Sequence, residues 1–193
     1  MIFAVTILVG IVFGAADQYL GSLTPYVALG AWTVSVSQMS APWLLLPFAF
    51  GCTQDRPRRA AVLGLVATLA ALAGYFAMTV SPMEGVALRQ IPHAALAAIS
   101  ANFTLAHPVI VGGLLTGPLF GLAGQRWGVS RTWVVAGLVA GAFLLEPVAR
   151  LADGQLFGPS WVWLAEVAFG VGLLAWLLVA ANAAERGRFA RPA

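Results

Sequence analysis

Charge is scarce in this chain of 193 residues: only 9% are charged, none is Lys, and two are His. A soluble domain carries roughly a quarter charged residues, and so few cannot cover a water-facing surface. With 61% hydrophobic residues and a mean hydropathy of +0.90, the sequence describes a protein dissolved in lipid. The absence of Lys leaves ten Arg as the whole basic set; with the abundant Ala and Gly, that fits a GC-rich bacterial genome. One cysteine, Cys52, excludes an internal disulfide, a Cys-based zinc site and a Cys-ligated iron–sulfur cluster. His93 and His107 lie too far apart to suggest haem ligation. There is no paired-Asp motif for magnesium diphosphate, no Gly-rich phosphate loop, no HExxH and no GxSxG. No metal and no cofactor are expected.

What is present are long apolar runs separated by charges and turn residues. A membrane helix uses about 20 residues, and the runs divide into six: 2–20, 30–52, 60–80, 103–125, 131–150 and 159–182. The expected fold is all-α, a compact polytopic bundle of six transmembrane helices. Residues 1–182 form its single domain and 183–193 a short basic tail. The stretch 81–102, with Pro82, Glu84, Arg89, Pro92 and His93, reads as a loop plus a short interfacial helix. Arg56, Arg58 and Arg59, then Arg126 and Arg131, then Arg186, Arg188 and Arg191 all fall on one side of such a bundle. Only Arg89 and Arg150 fall on the other. The positive-inside rule then puts both termini in the cytoplasm of a bacterial inner membrane. The same loop placement accounts for the net charge of +3 without a nucleic-acid partner. The first span lacks the basic flank of a signal peptide and is read as a retained helix.

Small residues recur every four positions at Gly10 and Gly14, at Gly113, Gly117 and Gly121, and at Gly137 and Gly141. Such stripes let helix backbones approach closely. Packing within one bundle accounts for them, and a homodimer interface through the Gly-rich faces is the alternative.

Ionisable groups inside a bilayer are costly and each is a candidate for function. At 1.5 Å per residue, Asp17 lies roughly 24 Å along its helix, in the outer quarter. Glu146 reaches almost the same depth from the fifth span, and Glu166 lies about two turns below the outer surface in the sixth. Thr33, Ser37 and Ser40 share one face of the second span, with Gln38 beside them. Asn102 and His107 occupy the outer part of the fourth. The aromatics Trp32, Trp43, Phe103, Phe143, Trp163 and Phe169 stand at a similar level. Trp161 and Trp163 also suit an interfacial belt, and Glu146 and Arg150, one turn apart, also suit a neutralised pair. The expectation is one polar pocket in the outer half above an apolar, Gly-packed floor.

Such a pocket suits an apolar or amphipathic small molecule. A carboxylic acid in apolar surroundings favours its neutral form and can donate a proton, and aromatic faces attract a developing carbocation. In size, compact bundle and isolated intramembrane acids, the chain resembles the small bacterial integral-membrane terpene cyclases of meroterpenoid and indole-terpenoid pathways. The resemblance implies acid-initiated, metal-free cyclisation of a linear or epoxidised isoprenoid. Asp17, Glu146 or Glu166 would be the proton donor, with Trp32, Ser37, Gln38, Trp43, Phe103, His107, Phe143, Arg150, Trp163 and Phe169 around the substrate. The alternative is a membrane subunit that binds a small apolar or amphipathic ligand for transport, similar in layout to the capture subunits of vitamin importers.

Overall fold

A computed structural model describes residues 1–23, 32–81, 86–101, 103–155 and 158–189, with the backbone alone at 103–108, 185 and 187–189. Among these residues every regular element is helical. The helices are α1 (Ile2–Ser22), α2 (Trp32–Ser37), α3 (Ala41–Cys52), α4 (Pro57–Val80), α5 (Ile91–Ala101), α6 (Phe103–Ser130), α7 (Trp133–Ala152) and α8 (Ser160–Phe189). A 3-10 turn, Leu88–Gln90, leads into α5, which buries none of its residues. By length and composition, α1, α4, α7 and the segment Ser160–Ala184 of α8 are long and apolar enough to cross a membrane. The second expected span is the main departure: α2 and α3 are two short helices, and α3 has only 12 residues.

The chain folds as a tightly packed set, α1–α4–α6–α3, with the α7–α8 hairpin laid against α3 and α6. Small residues set the first group. A Cβ on Gly14 would stand 1.8 Å from the Ala71 carbonyl oxygen, and one on Gly51 2.0 Å from that of Gly121. These backbones touch because nothing projects between them, which is how helices associate where lipid removes the hydrophobic drive. The hairpin is held differently. Phe48, Phe120, Trp127, Val135, Val139 and Leu177 form a larger-residue core joining α3, α6, α7 and α8.

The glycine stripes therefore divide. Gly10, Gly14, Gly117 and Gly121 pack against neighbouring helices of the same chain, whereas Gly137 and Gly141 on α7 meet nothing within 4 Å. We expect Gly14→Ala to cost about 1–3 kcal/mol by overpacking. Gly137→Ala should be neutral, or stabilising by up to about 1 kcal/mol through helix propensity. Thermal unfolding in detergent, followed by tryptophan fluorescence, separates the two. Equal melting temperatures would contradict the packing described.

The arginine-bearing loops gather at one end. Gln125 Nε2 donates to the Asp55 carbonyl at 3.1 Å, tying the end of α6 to the α3–α4 turn. Cys52, Trp127 and Ala181 meet in the same apolar cluster, which brings the far end of α8 there too.

Candidate functional site

The break between α2 and α3 begins with one residue. Pro42 has no N–H, and its ring crowds the carbonyl four residues back, which belongs to Gln38. The helix cannot continue through that point, and its backbone groups need other partners, since unmet ones are costly away from water. The N–H groups of Gln38 and Met39 still reach the carbonyls of Val34 and Val36, and that of Trp43 reaches Ser40. Ser40 and Ala41 have no carbonyl to bond. Both are met by Glu146: Ser40 N lies 2.7 and 2.9 Å from its two oxygens, and Ala41 N 2.7 Å from one. A carboxylate thus sits on the N-terminus of α3, where the free N–H groups and the helix dipole favour an anion.

Arg150 completes the arrangement from one turn further along α7. Its Nε donates to Glu146 at 2.9 Å, its Nη2 donates to the freed Gln38 carbonyl, and Nη2 lies 3.4 Å from the Ser40 hydroxyl. The guanidinium also stacks over Trp163, 5.6 Å from the ring centroid. The two charged side chains are 10% (Glu146) and 18% (Arg150) exposed. One carboxylate starts α3 and one guanidinium ends α2, so this pair holds the broken helix.

A cavity lies on each side of the break. The larger, about 660 Å³, is bounded by Asp17 of α1, Ser37, Gln38, Met39 and Ser40 of the break, Trp43 and Leu44 of α3, Thr68, Leu72 and Tyr75 of α4, Thr116 of α6, and Arg150. Its wall is mostly apolar. Asp17 is within hydrogen-bonding reach of the Trp43 indole N–H. The Trp43 ring meets Phe13 edge-on at 5.5 Å and Tyr75 at 6.0 Å. The smaller cavity, about 300 Å³, lies against α8, with Glu166, Phe143, Trp161 and Phe169 in its wall. Met39 borders both cavities. The segment that breaks the helix is also the partition between them.

The expected single pocket is thus two. Asp17 faces the first cavity, Glu166 the second, and Glu146 stands at the break with its oxygens engaged by backbone. Helix depth placed all three at one level; Glu166 and Glu146 meet there within hydrogen-bonding reach, and Asp17 is turned to the other cavity. Ser37, Gln38, Trp43 and Arg150 line the larger cavity, and Phe143 and Phe169 the smaller. Trp32 lines neither; it packs on the Met39–Val162–Trp163 cluster and lies 6.3 Å from the Trp161 ring. Trp163 is buried in that cluster. The side chains of Phe103 and His107, and Asn102 altogether, lie outside the described residues. Tyr75, Thr68 and Thr116 were missed by the sequence reading. Thr68 and Tyr75 stand in the long apolar run of α4 and Thr116 in that of α6, with no pattern to mark them. The signal that was present and unused was Pro42, four residues after Gln38.

Among the described residues, these features define an all-helical, membrane-associated protein with a discontinuous helix and a cavity on each side of the break. The chain belongs to a family described as being of unknown function, DUF6518, whose model matches residues 1–190. No curated protein and no solved structure matches it.

Proposed function

We propose that the larger cavity binds an isoprenoid-like amphipathic molecule and that the protein cyclises it by acid initiation, with Asp17 as the proton donor. One observation carries the reading: a carboxyl group stands among the Trp43 and Tyr75 rings in a largely apolar cavity of about 660 Å³. A cavity of this size suits a small-molecule ligand. Glu146 is a poor candidate for the acid because its oxygens already accept from two backbone N–H groups and Arg150.

In the proposed reaction Asp17 gives its proton to a terminal alkene or epoxide of the bound chain. The alkene π electrons, or an epoxide oxygen lone pair, take it. The resulting cation is attacked by the next double bond, which closes a ring. The last cation loses a proton to water, and Asp17 regains one, so the product is an isomer of the substrate. Aromatic faces favour the cation along the way. Ser37, Gln38 and Thr116 offer hydrogen bonds to a polar head.

The proposed setting is a bacterial inner membrane crossed six times, with α2 and α3 together forming one discontinuous crossing and α6 another. Gathering of the arginine loops at one end supports cytoplasmic termini. The outward-facing Gly137 and Gly141 leave a homodimer contact through α7 as part of this reading.

The test is incubation of the detergent-purified protein with a geranylgeranyl-substituted hydroquinone and with its terminal epoxide. A product of unchanged mass and altered retention, absent without protein, is expected from one of them. If neither is converted, the cyclase reading fails. The discontinuous helix favours a second reading, because such breaks line substrate sites in transporters. A capture subunit would retain a ligand through purification, release it in Asp17→Asn, and form no isomer.

A further inference from the structure

The larger cavity has hydroxyl groups in its wall, but their protons are already engaged. Ser37 Oγ donates to the Val34 carbonyl at 3.0 Å, Thr68 Oγ1 to that of Gly64 at 3.1 Å, and Thr116 Oγ1 to that of Gly112 at 2.8 Å. Each bonds back to its own helix, and toward the cavity it can only accept. The donors left unspent belong to the broken helix and its clamp. A guanidinium carries five N–H groups. In Arg150, Nε is taken by Glu146, and Nη2 by the Gln38 carbonyl with the Ser40 hydroxyl beside it. Nη1 meets no acceptor among the described residues, and neither does the side-chain Nε2 of Gln38, yet both residues border the cavity. Neither nitrogen is among the buried side-chain atoms that the fold leaves unpaired, so both keep surface on which a ligand can act.

The charge at this wall decides which acceptor fits. Glu146 already neutralises Arg150 at 2.8 Å, and Glu166 of α8 stands within hydrogen-bonding reach of Glu146. A carboxylate or phosphate brought to Nη1 would add another anion around a single guanidinium, where uncompensated charge is costly. A neutral oxygen adds none. A carbonyl oxygen has two lone pairs, enough for one N–H of Arg150 and one of Gln38. The Trp163 ring lies under the guanidinium and helps to fix the fork before a ligand arrives.

We propose that Arg150 Nη1 and Gln38 Nε2 anchor the head of the ligand, a neutral carbonyl oxygen of the quinone class. The proposal rests on the reading of the larger cavity as the binding site, and it applies equally to a cyclase or a capture subunit. A hydroquinone offers the same oxygen as a weaker acceptor. α7 packs on α3, α6 and α8, and α1 on α2 and α4, so Arg150 and Asp17 come from different walls. A head held at the break leaves the isoprenoid tail to run toward Asp17.

Geranyl-1,4-benzoquinone labelled with 13C at its carbonyls is the probe, added to the full chain in maltoside micelles. Infrared difference against the unlabelled compound isolates the carbonyl band. A saturable band at lower frequency than in empty micelles is expected. Geranylbenzene, which lacks the oxygens, and 4-geranylbenzoate, which is charged, should each displace the quinone about tenfold less well than unlabelled quinone, or worse. Gln38→Met removes an amide that bonds nothing among the described residues, so the fold should keep, and the band should move part of the way back. Arg150→Lys keeps a charge for Glu146 but loses the fork, and should move it further. Phe169→Leu, in the smaller cavity, should leave it unchanged. A saturable band at the micelle frequency, or equal displacement by geranylbenzene, overturns the proposal and leaves the cavity reading standing. Tighter binding of the benzoate would make this an anion site and overturn it too. Absence of any saturable quinone overturns both.

Discussion

Glu146→Ala is expected to lower the stability of the folded protein by about 3–5 kcal/mol, the cost of removing one member of a buried, hydrogen-bonded ion pair. The size follows from what loses a partner. Ser40 and Ala41 each lose the acceptor of a backbone N–H; Ala41 is buried, and a buried, unmet donor costs about 1–3 kcal/mol. Arg150 loses its counter-charge while still enclosed beside Trp163. Glu146→Gln keeps the volume and one carbonyl oxygen, so it should lose less. Arg150→Met removes the guanidinium from the Gln38 carbonyl and should also be costly. The double variant should cost clearly less than the sum of the two, because the same assembly is lost only once. Thermal or denaturant unfolding of the four proteins in one detergent gives the cycle. Strict additivity would mean that Glu146 and Arg150 do not act together at the break.

Asp17→Asn is expected to reduce the proposed cyclisation by about 10²–10⁴-fold, the range for loss of a positioned general acid. The amide retains the size of the acid and its hydrogen-bonding reach to Trp43 but has no proton of comparable acidity to give. Binding of substrate should therefore persist while turnover falls, so that kcat drops and KM changes little. Glu166→Gln, in the other cavity, should leave turnover close to wild type. A fall with Glu166→Gln and none with Asp17→Asn would reverse the assignment of the acid. Trp43→Phe tests the neighbour: it removes the indole N–H while keeping an aromatic face.

The helices were largely legible because their signal is long and redundant. Five apolar runs fall on α1, α4, α6, α7 and α8, with ends displaced by a few residues. Charged stretches such as residues 55–59, at the α3–α4 turn and the start of α4, mark where lipid-compatible chain stops. The second run was misread as continuous because residues 30–52 are apolar enough to span, and composition dominates such a window. Its interruption is a local effect of Pro42 on Gln38, and it persists only because Glu146 and Arg150, more than 100 residues away, replace the missing partners. That dependence on a distant pair is invisible in a one-dimensional pattern.

Depth was legible for the same reason that spans were: rise per residue fixes it. Direction was not. A soluble helix advertises its inner face by a polar outer one, but α1, α4 and α8 are apolar all round, so nothing in the sequence says where Asp17 or Glu166 points. The aromatic expectation shows the same limit. Trp43 and Trp163 stand at similar levels, yet one borders a cavity and the other is buried under Arg150. Tyr75 joins Asp17 only through the close approach of α1 and α4, which Gly14 permits against Ala71.

The central claim is that the Asp17 cavity is where an isoprenoid-like molecule binds. Photolabelling tests it most directly, using a geranylgeranyl hydroquinone with a diazirine at its terminal isoprene unit and peptide mapping of the labelled chain. The account predicts adducts concentrated on Phe13 to Asp17 of α1, on Trp43 and on Tyr75, displaced by excess unlabelled compound. Undisplaced adducts spread over the lipid-facing sides of α7 and α8, with none at those positions, would contradict it.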